Sequence, residues 1–449
     1  MIKRWLYNSF RLVYGIKYWM GRRFTRAGFP VLGGLAVSAL IGLDTNQTVA
    51  YQAFTFLASL LVLSIFSSLF FRARFEARRK LPPYGTVNQP LAYHVVIQNR
   101  APKRQEGLFL LEEVADPRPA FEEFLKTREP WEKRRNPFDR AIGYHRWLWL
   151  ISREERARFR EQPVPVLPPG GKEEVRVEVL PLRRGPLRFR GLTVARPDPF
   201  GLFRACKNFP CPQEVLILPR QYPLPPIQMP GTRVYQPGGV AMASSIGDSE
   251  EFTSMRDYRP GDPPRRIHWK SWAKTGRPIV KEYQNEFFVR HALVLDTFQE
   301  SEESEIFEEA VSVAASFACS IHTHDSLLDL MFVGTEAYCF TSGRGIAQTG
   351  KMLEILAAVR VCQDRPFHVL PPLVLERASL LSGCVCIFLA WDDERKTFIR
   401  RLEAMGIPVL ALVVTEADAP HPVDVDQKAG PEKLHFLQKG KIEEGLARL

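Results

Sequence analysis

From Ala27 to Phe71 the chain carries a single charged residue, Asp44, and no other feature limits its fold as strongly. Asp44 sits in the polar break "LDTNQTVAYQ" between two apolar runs. The second run, Ala53 to Phe71, has 19 residues. As a helix it reaches about 28 Å, close to the hydrocarbon thickness of a bilayer. The first, Gly28 to Leu43, is shorter, and Gly33, Gly34 and Gly42 let it approach a neighbouring helix closely. Neither run has a polar face, which disfavours a buried soluble hairpin. A cleaved signal peptide also fits poorly, because a second apolar run follows at once and the basic lead is long. A two-helix transmembrane hairpin is therefore expected within residues 27–80.

Charge sharpens this reading. The formal net charge is +11, yet the first 80 residues hold twelve Lys or Arg against Asp44 and Glu76, while the rest is balanced, with 49 bases and 48 acids. The basicity belongs to the membrane flanks, and no nucleic-acid partner is expected. Both flanks, Lys3 to Arg26 and Arg72 to Lys80, are basic, whereas the connecting turn has no base. By the positive-inside bias both termini face the cytoplasm. Residues 1–26 mix aromatics with bases, which suits a helix lying on the membrane surface. Seven scattered cysteines, none at zinc-knuckle spacing, read as buried thiols of a reducing compartment.

Beyond Lys80 the pattern turns to period two. "LAYHVVIQNR", "GLFLLEEV", "EEVRVEVLPL" and "EVLILPR" are short strands of a β-sandwich-like module over residues 81–225. A charged, strand-poor insertion, 121–162, interrupts it; its three tryptophans imply that part of it packs on something. "RRGPLRFRGLTVARPDPFGLFR" reads as a structural corner, with turns at its Gly and Pro and apolar anchors at Phe200, Leu202 and Phe203.

From 287 to 418, near-continuous apolar strands alternate with amphipathic helices, the pattern of a doubly wound, mostly parallel sheet. Residues 419–449 read as a tail. Ligands of such sheets bind at the carboxyl ends of the strands, where Asp296, Asp392 and Asp393 fall. Such carboxylates can hold a divalent cation such as Mg²⁺ or cap the following helices. His322, His324 and Asp325 read as the close of a helix rather than as metal ligands.

Residues 226–286 contain "RPGDPPRRIHWKSWAKTGRPIVKEY". With Asp262 as N-cap, prolines in the first turn and Gly276 as the stop, a helix of about three turns is expected. It would align Arg266, Lys270 and Lys274 in one stripe beside Trp269 and Trp272. The stripe can be read as an anion surface, as an enzyme site with His268 as base, or as a junction and partner-binding element. Flanking acids offset the bases, and no Ser or Cys nucleophile stands in a recognisable elbow, so the third reading is preferred.

These motifs, "RRGPLRFRGLTVARPDPFGLFR", "EFTSMRDYRPGDPPRRIHWKSWAKTGRPIVKEY" and "ALVLD" ending at Asp296, resemble the bacterial domain of unknown function 58. The resemblance implies a C-terminal fold similar to a von Willebrand factor A domain, a place in the bacterial inner membrane and partnership with a MoxR-type AAA+ ATPase. It implies no enzymatic activity. That fold's metal motif, Asp-x-Ser-x-Ser, is degenerate here, since Phe298 and Glu300 follow Asp296 at the Ser positions. The resulting expectation is a multidomain α+β, membrane-anchored, non-catalytic adaptor without a cofactor. The alternatives are a divalent-metal-dependent adhesion module using Asp296 and Asp392, and an uncharacterised hydrolase.

Overall fold

Three helices lead the chain: α1 (Ile2–Arg23), α2 (Gly28–Ile41) and α3 (Thr48–Ser68). The computed structural model describes residues 1–41, 48–71, 74–129, 132–225, 252–262, 264–283, 289–300, 304–320, 326–342, 346–416 and 433–449. Within α3, Val49–Ser68 is long and apolar enough to cross a membrane and is mostly unburied, unlike a soluble core helix. The 14-residue α2 is apolar but shorter, and its Gly34 comes up against Leu57 of α3.

The chain divides into two compact units, Met1–Leu218 and Pro219–Leu449. In the first, alternating residues build nine strands among the described residues: β1 (Phe75–Lys80), β2 (Tyr84–Thr86), β3 (Leu91–Asn99), β4 (Leu108–Val114), β5 (Ala157–Phe159), β6 (Gln162–Val164), β7 (Lys172–Pro181), β8 (Gly185–Pro197) and β9 (Arg204–Leu218). They form a four-stranded sheet, β1-β3-β7-β5, and a five-stranded sheet, β2-β9-β8-β4-β6. One core joins them, with Tyr93, Val95, Ile97 and Val177 from the first sheet against Leu110, Phe189, Leu192 and Ile217 from the second.

Residues 75–80, expected as the basic flank of the hairpin, are instead strand β1. Pairing with β3 turns Arg79 inward. There its guanidinium meets the Glu112 carboxylate at 2.7 Å, lies 4.3 Å from the Phe189 ring centre and donates to the carbonyls of Gly191 and Cys211. Tyr93 Oη donates to Glu112 at 2.6 Å. Burial pushes Glu112 above the usual carboxylate range, against the pull of Arg79.

The expected insertion is helical only as far as Glu154, with α4 (Phe121–Lys126), α5 (Pro137–Ile142) and α6 (Tyr144–Glu154); its last residues belong to the sandwich, as β5 paired with β7 and the start of β6. Its Phe124, Trp147 and Leu150 form a small core with Tyr7 of α1. Trp131 lies outside the described residues.

Among the described residues, the first strands of the second unit form a hairpin, β10 (Phe252–Asp257) and β11 (Ile279–Tyr283), that brackets the short helix α7 (Trp269–Thr275). Then follow β12 (Val289–Leu295), α8 (Glu305–Ser320), β13 (Ser326–Val333), β14 (Ala337–Ser342), α9 (Ile346–Ala358), α10 (Leu370–Leu375), β15 (Gly383–Phe388), α11 (Asp393–Ala404), β16 (Val409–Thr415), β17 (Lys433–Gln438) and α12 (Ile442–Leu446). The six-stranded sheet has the order β14-β13-β12-β15-β16-β17, parallel except for edge strand β14. Ala292 and Val294 of β12 face the core closed by Phe367, Leu370, Phe398 and Leu402. Leu293 and Leu295, by alternation, face the other side, where α8 packs on β12, β15 and β16. The expected C-terminal tail supplies β17 and α12, with Leu437, Ile442 and Leu446 buried. Within that tail "KLHFLQ" is too short a run to stand out as a strand in the sequence.

Candidate functional site

The basic motif folds as the closing segment of a hairpin rather than as one long helix. Asp257 pairs with Ile279 and Arg256 with Val280, and the chain between them doubles back. Asp262 caps no helix. Its carboxylate accepts from both guanidinium nitrogens of Arg256, at 2.7 and 2.8 Å, and from the backbone N–H of Arg259 at 2.8 Å. These bonds, that to Arg256 foremost, hold its carboxyl down to about 2.

A 3₁₀ turn, Pro264–Arg266, follows, and the helix is then interrupted by a tertiary contact. Ile267 bridges to Val280, and His268 N–H donates to Ile279 O at 2.8 Å, so helical pairing restarts only at Trp269. Arg266 therefore lies outside α7, and only Lys270 and Lys274 share the predicted stripe. Gly276 ends α7 in the left-handed conformation, as expected from its sequence.

His268 contacts Ser271 Oγ through Nδ1 at 2.6 Å. Trp269 and Trp272 stack with ring centres 5.3 Å apart, and Trp269 remains 62% exposed. The result is an aromatic platform flanked by the exposed Lys270 and Lys274.

The second candidate group lies at the carboxyl ends of β12 and β15. Asp296 is fully buried; one carboxylate oxygen accepts from Phe298 N–H at 3.0 Å, and the other from Leu389 N–H at 3.1 Å and Arg395 Nε at 2.7 Å. Arg395 also pairs with Asp392, whose carboxylate caps α11 by accepting from Arg395 N–H at 3.0 Å. The same guanidinium lies 4.5 Å from the Phe367 ring centre. Burial raises the Asp296 carboxyl against the pull of Arg395. The two acids in turn keep Arg395 charged in spite of its burial.

The structure thus brings Asp296 and Asp392 together through a guanidinium. Of the two positions that the metal motif gives to Ser, Phe298 turns into the core against Phe367 and Glu300 is exposed. Among the described residues no group of three or more His, Cys, Asp or Glu is placed to hold a metal. Asp296 is so fully engaged that it offers little as a base or ligand, and the arrangement chemically ties a strand end to a helix start.

Sequence reasoning missed Arg395, which "DERKTFIRR" presents as one more solvent-facing base. Its position three residues after the capping Asp392 is the signal that was there to read. His322, His324 and Asp325 lie outside the described residues.

Hairpin, platform and parallel sheet together define an α/β domain with an exposed aromatic helix before its first strand. Residues 254–369 match the family described as "Protein of unknown function DUF58", so the family resemblance drawn from the sequence is supported over this segment. Asp296 lies within it, Asp392 and Arg395 beyond it. The uncharacterised protein YeaD of Bacillus subtilis strain 168 is 31% identical over 125 residues, which are 27% of this chain and 30% of YeaD.

Among solved structures, the CARDB domain of a Pyrococcus furiosus protein is 9% identical, with 32% of this chain and 94% of that one covered and a TM-score of 0.16. The seventh PapD-like domain of human CEP192 is 13% identical, with coverages of 32% and 86% and a TM-score of 0.17. At such scores neither defines a fold for this chain.

Proposed function

We propose that this chain is a membrane-anchored, non-catalytic adaptor of the bacterial inner membrane. In this reading α2 and α3 form a two-span hairpin, both termini face the cytoplasm, and a von Willebrand A-like unit is presented to protein partners, foremost a MoxR-type AAA+ ATPase. The observation that carries it is the exposed Trp269–Trp272 stack with Lys270 and Lys274 beside it. Aromatic residues bordered by charge are the usual anchors of protein interfaces. The engagement of Asp296 by Arg395 favours this role over a metal-dependent one, and the family resemblance supplies the ATPase.

The test is crosslinking in intact membranes with mass spectrometry, comparing the wild type with Trp269→Ala and with Lys270→Glu/Lys274→Glu. Crosslinks to the ATPase should vanish in both variants while the protein stays in the membrane fraction. Unchanged crosslinks would remove α7 as the interface, and no ATPase crosslink in the wild type would remove that partner.

A further inference from the structure

Helix α1 is apolar on two faces; the described residues cover one of them and meet the other at Trp19, whose ring contacts Phe24 and Phe203. On the inner face Tyr7 and Phe10 pack against Phe124 and Trp147 of the insertion, and Tyr7 Oη donates to Pro119 O at 2.9 Å. The far end of the helix is held by a second clamp, the corner loop from Asp198 to Phe203. The Asp198 carboxylate organises that loop by accepting the N–H groups of Phe200, Leu202 and Phe203 at 2.9, 2.7 and 2.7 Å. The loop in turn receives the α1–α2 link, with Thr25 N–H on Leu202 O at 3.1 Å and Phe24 edge-on to Phe203 at 5.2 Å.

The outer face carries Trp5, Leu12, Ile16 and Trp19, all exposed. At 3.6 residues per turn they fall within a stripe about 60° wide, which the exposed Val13 extends to about 120°; Arg4 and Arg11 lie to one side of it and Lys17 to the other, while Lys3 is turned to the opposite face. A shallow groove beside the stripe is lined by Asn8, Arg11, Leu12, Ile16, Trp19 and Arg118. The helix has no acidic residue, and four residues separate it from α2 and the apolar helices. An apolar centre with basic margins beside a membrane span is complementary to one surface, that of an anionic bilayer.

We infer that the outer face of α1 rests in the headgroup layer of an anionic membrane, and that the insertion and the Asp198 loop are the braces that hold it there. This builds on the membrane-anchored reading and gives the insertion a task. The braces fill the inner aromatic face with protein, so that the Trp5–Trp19 stripe alone is turned to lipid.

The experiment uses the full chain reconstituted in phosphatidylcholine vesicles with and without phosphatidylglycerol, containing lipid brominated either near the headgroup or deep in the acyl chain. Shallow bromines should quench tryptophan emission more than deep ones, and Trp5→Phe/Trp19→Phe should remove about half or more of that quenching, as expected of tryptophans at the headgroup level. Arg11→Glu/Lys17→Glu should abolish the gain from phosphatidylglycerol while resistance to alkaline carbonate extraction is kept. Shallow quenching unaffected by the Trp5/Trp19 replacement in a carbonate-resistant protein overturns the inference and leaves the anchor standing. Quenching that ignores phosphatidylglycerol, or that yields to a protein bound on α1 instead of lipid, overturns it as well. Wild-type protein released by carbonate but still quenched at Trp5 and Trp19 supports α1 as a lipid-binding surface and removes the spanning helices.

Discussion

The two units each bury an arginine against a carboxylate, and the pairs look alike at first. Arg79 meets Glu112 at 2.7 Å and lies over Phe189; Arg395 meets Asp296 at 2.7 Å and lies over Phe367. They differ in where the second arm of the guanidinium goes. That of Arg79 is spent on carbonyls inside the sandwich, so the pair is sealed. That of Arg395 reaches Asp392, whose side chain is 48% exposed, at the strand ends where sheets of this kind open their ligand crevice. One pair closes a core, whereas the other ties a strand end to a helix start and reaches the surface through Asp392.

The largest test of this contrast is Glu112→Ala, which strands a buried charge and should cost about 3–5 kcal/mol in chemical denaturation. Arg79→Met/Glu112→Leu should recover most of that loss, because a buried pair replaced by apolar residues of similar size is often neutral. Asp296→Asn should cost less, about 1–3 kcal/mol, because Arg395 keeps Asp392 as a partner. Equal losses at both sites would erase the distinction. Calorimetric titration of the wild type with Mg²⁺ should give no heat, since Arg395 and two backbone N–H groups already satisfy Asp296.

Smaller still is the effect of His291, buried on β12 with no hydrogen-bond partner at Nδ1. Burial lowers its proton affinity below the ordinary value of 6.5. The folded chain then binds fewer protons than the unfolded one, so stability is full above pH 6.5 and falls as acid is added. The slope should reach at most about 1.4 kcal/mol per pH unit, and His291→Leu should flatten it.

The smallest effect belongs to Asp262, whose carboxyl is held at about 2 from an ordinary 3.8. Its support of the hairpin is complete above pH 3.8 and lost as pH falls through about 2. Hydrogen exchange at Arg259 N–H reads this directly, and Asp262→Asn should remove the pH dependence.

These cases also show how much the sequence revealed. Strands such as "LAYHVVIQN" were legible because a half-buried strand must alternate, and β12 and β15 because a strand buried on both faces must not. The three-turn helix from Asp262 was not, because Ile267 and His268 give their backbone groups to β11, a partner that local capping rules do not see. Arg79 and Arg395 read as surface bases for the same reason. What buries each is a carboxylate 33 or 99 residues away.

The corner at Asp198 carries a last, mechanical implication. Gly28, the first residue of α2, passes so close to the loop that a Cβ there would stand 2.2 Å from Leu202 O. With the link pinned at Thr25 and Phe24, there is no slack between the start of α2 and the β-module. Any tilt or piston movement of α2 would therefore be delivered to strands β8 and β9 as a direct pull, as through a stiff lever rather than a tether.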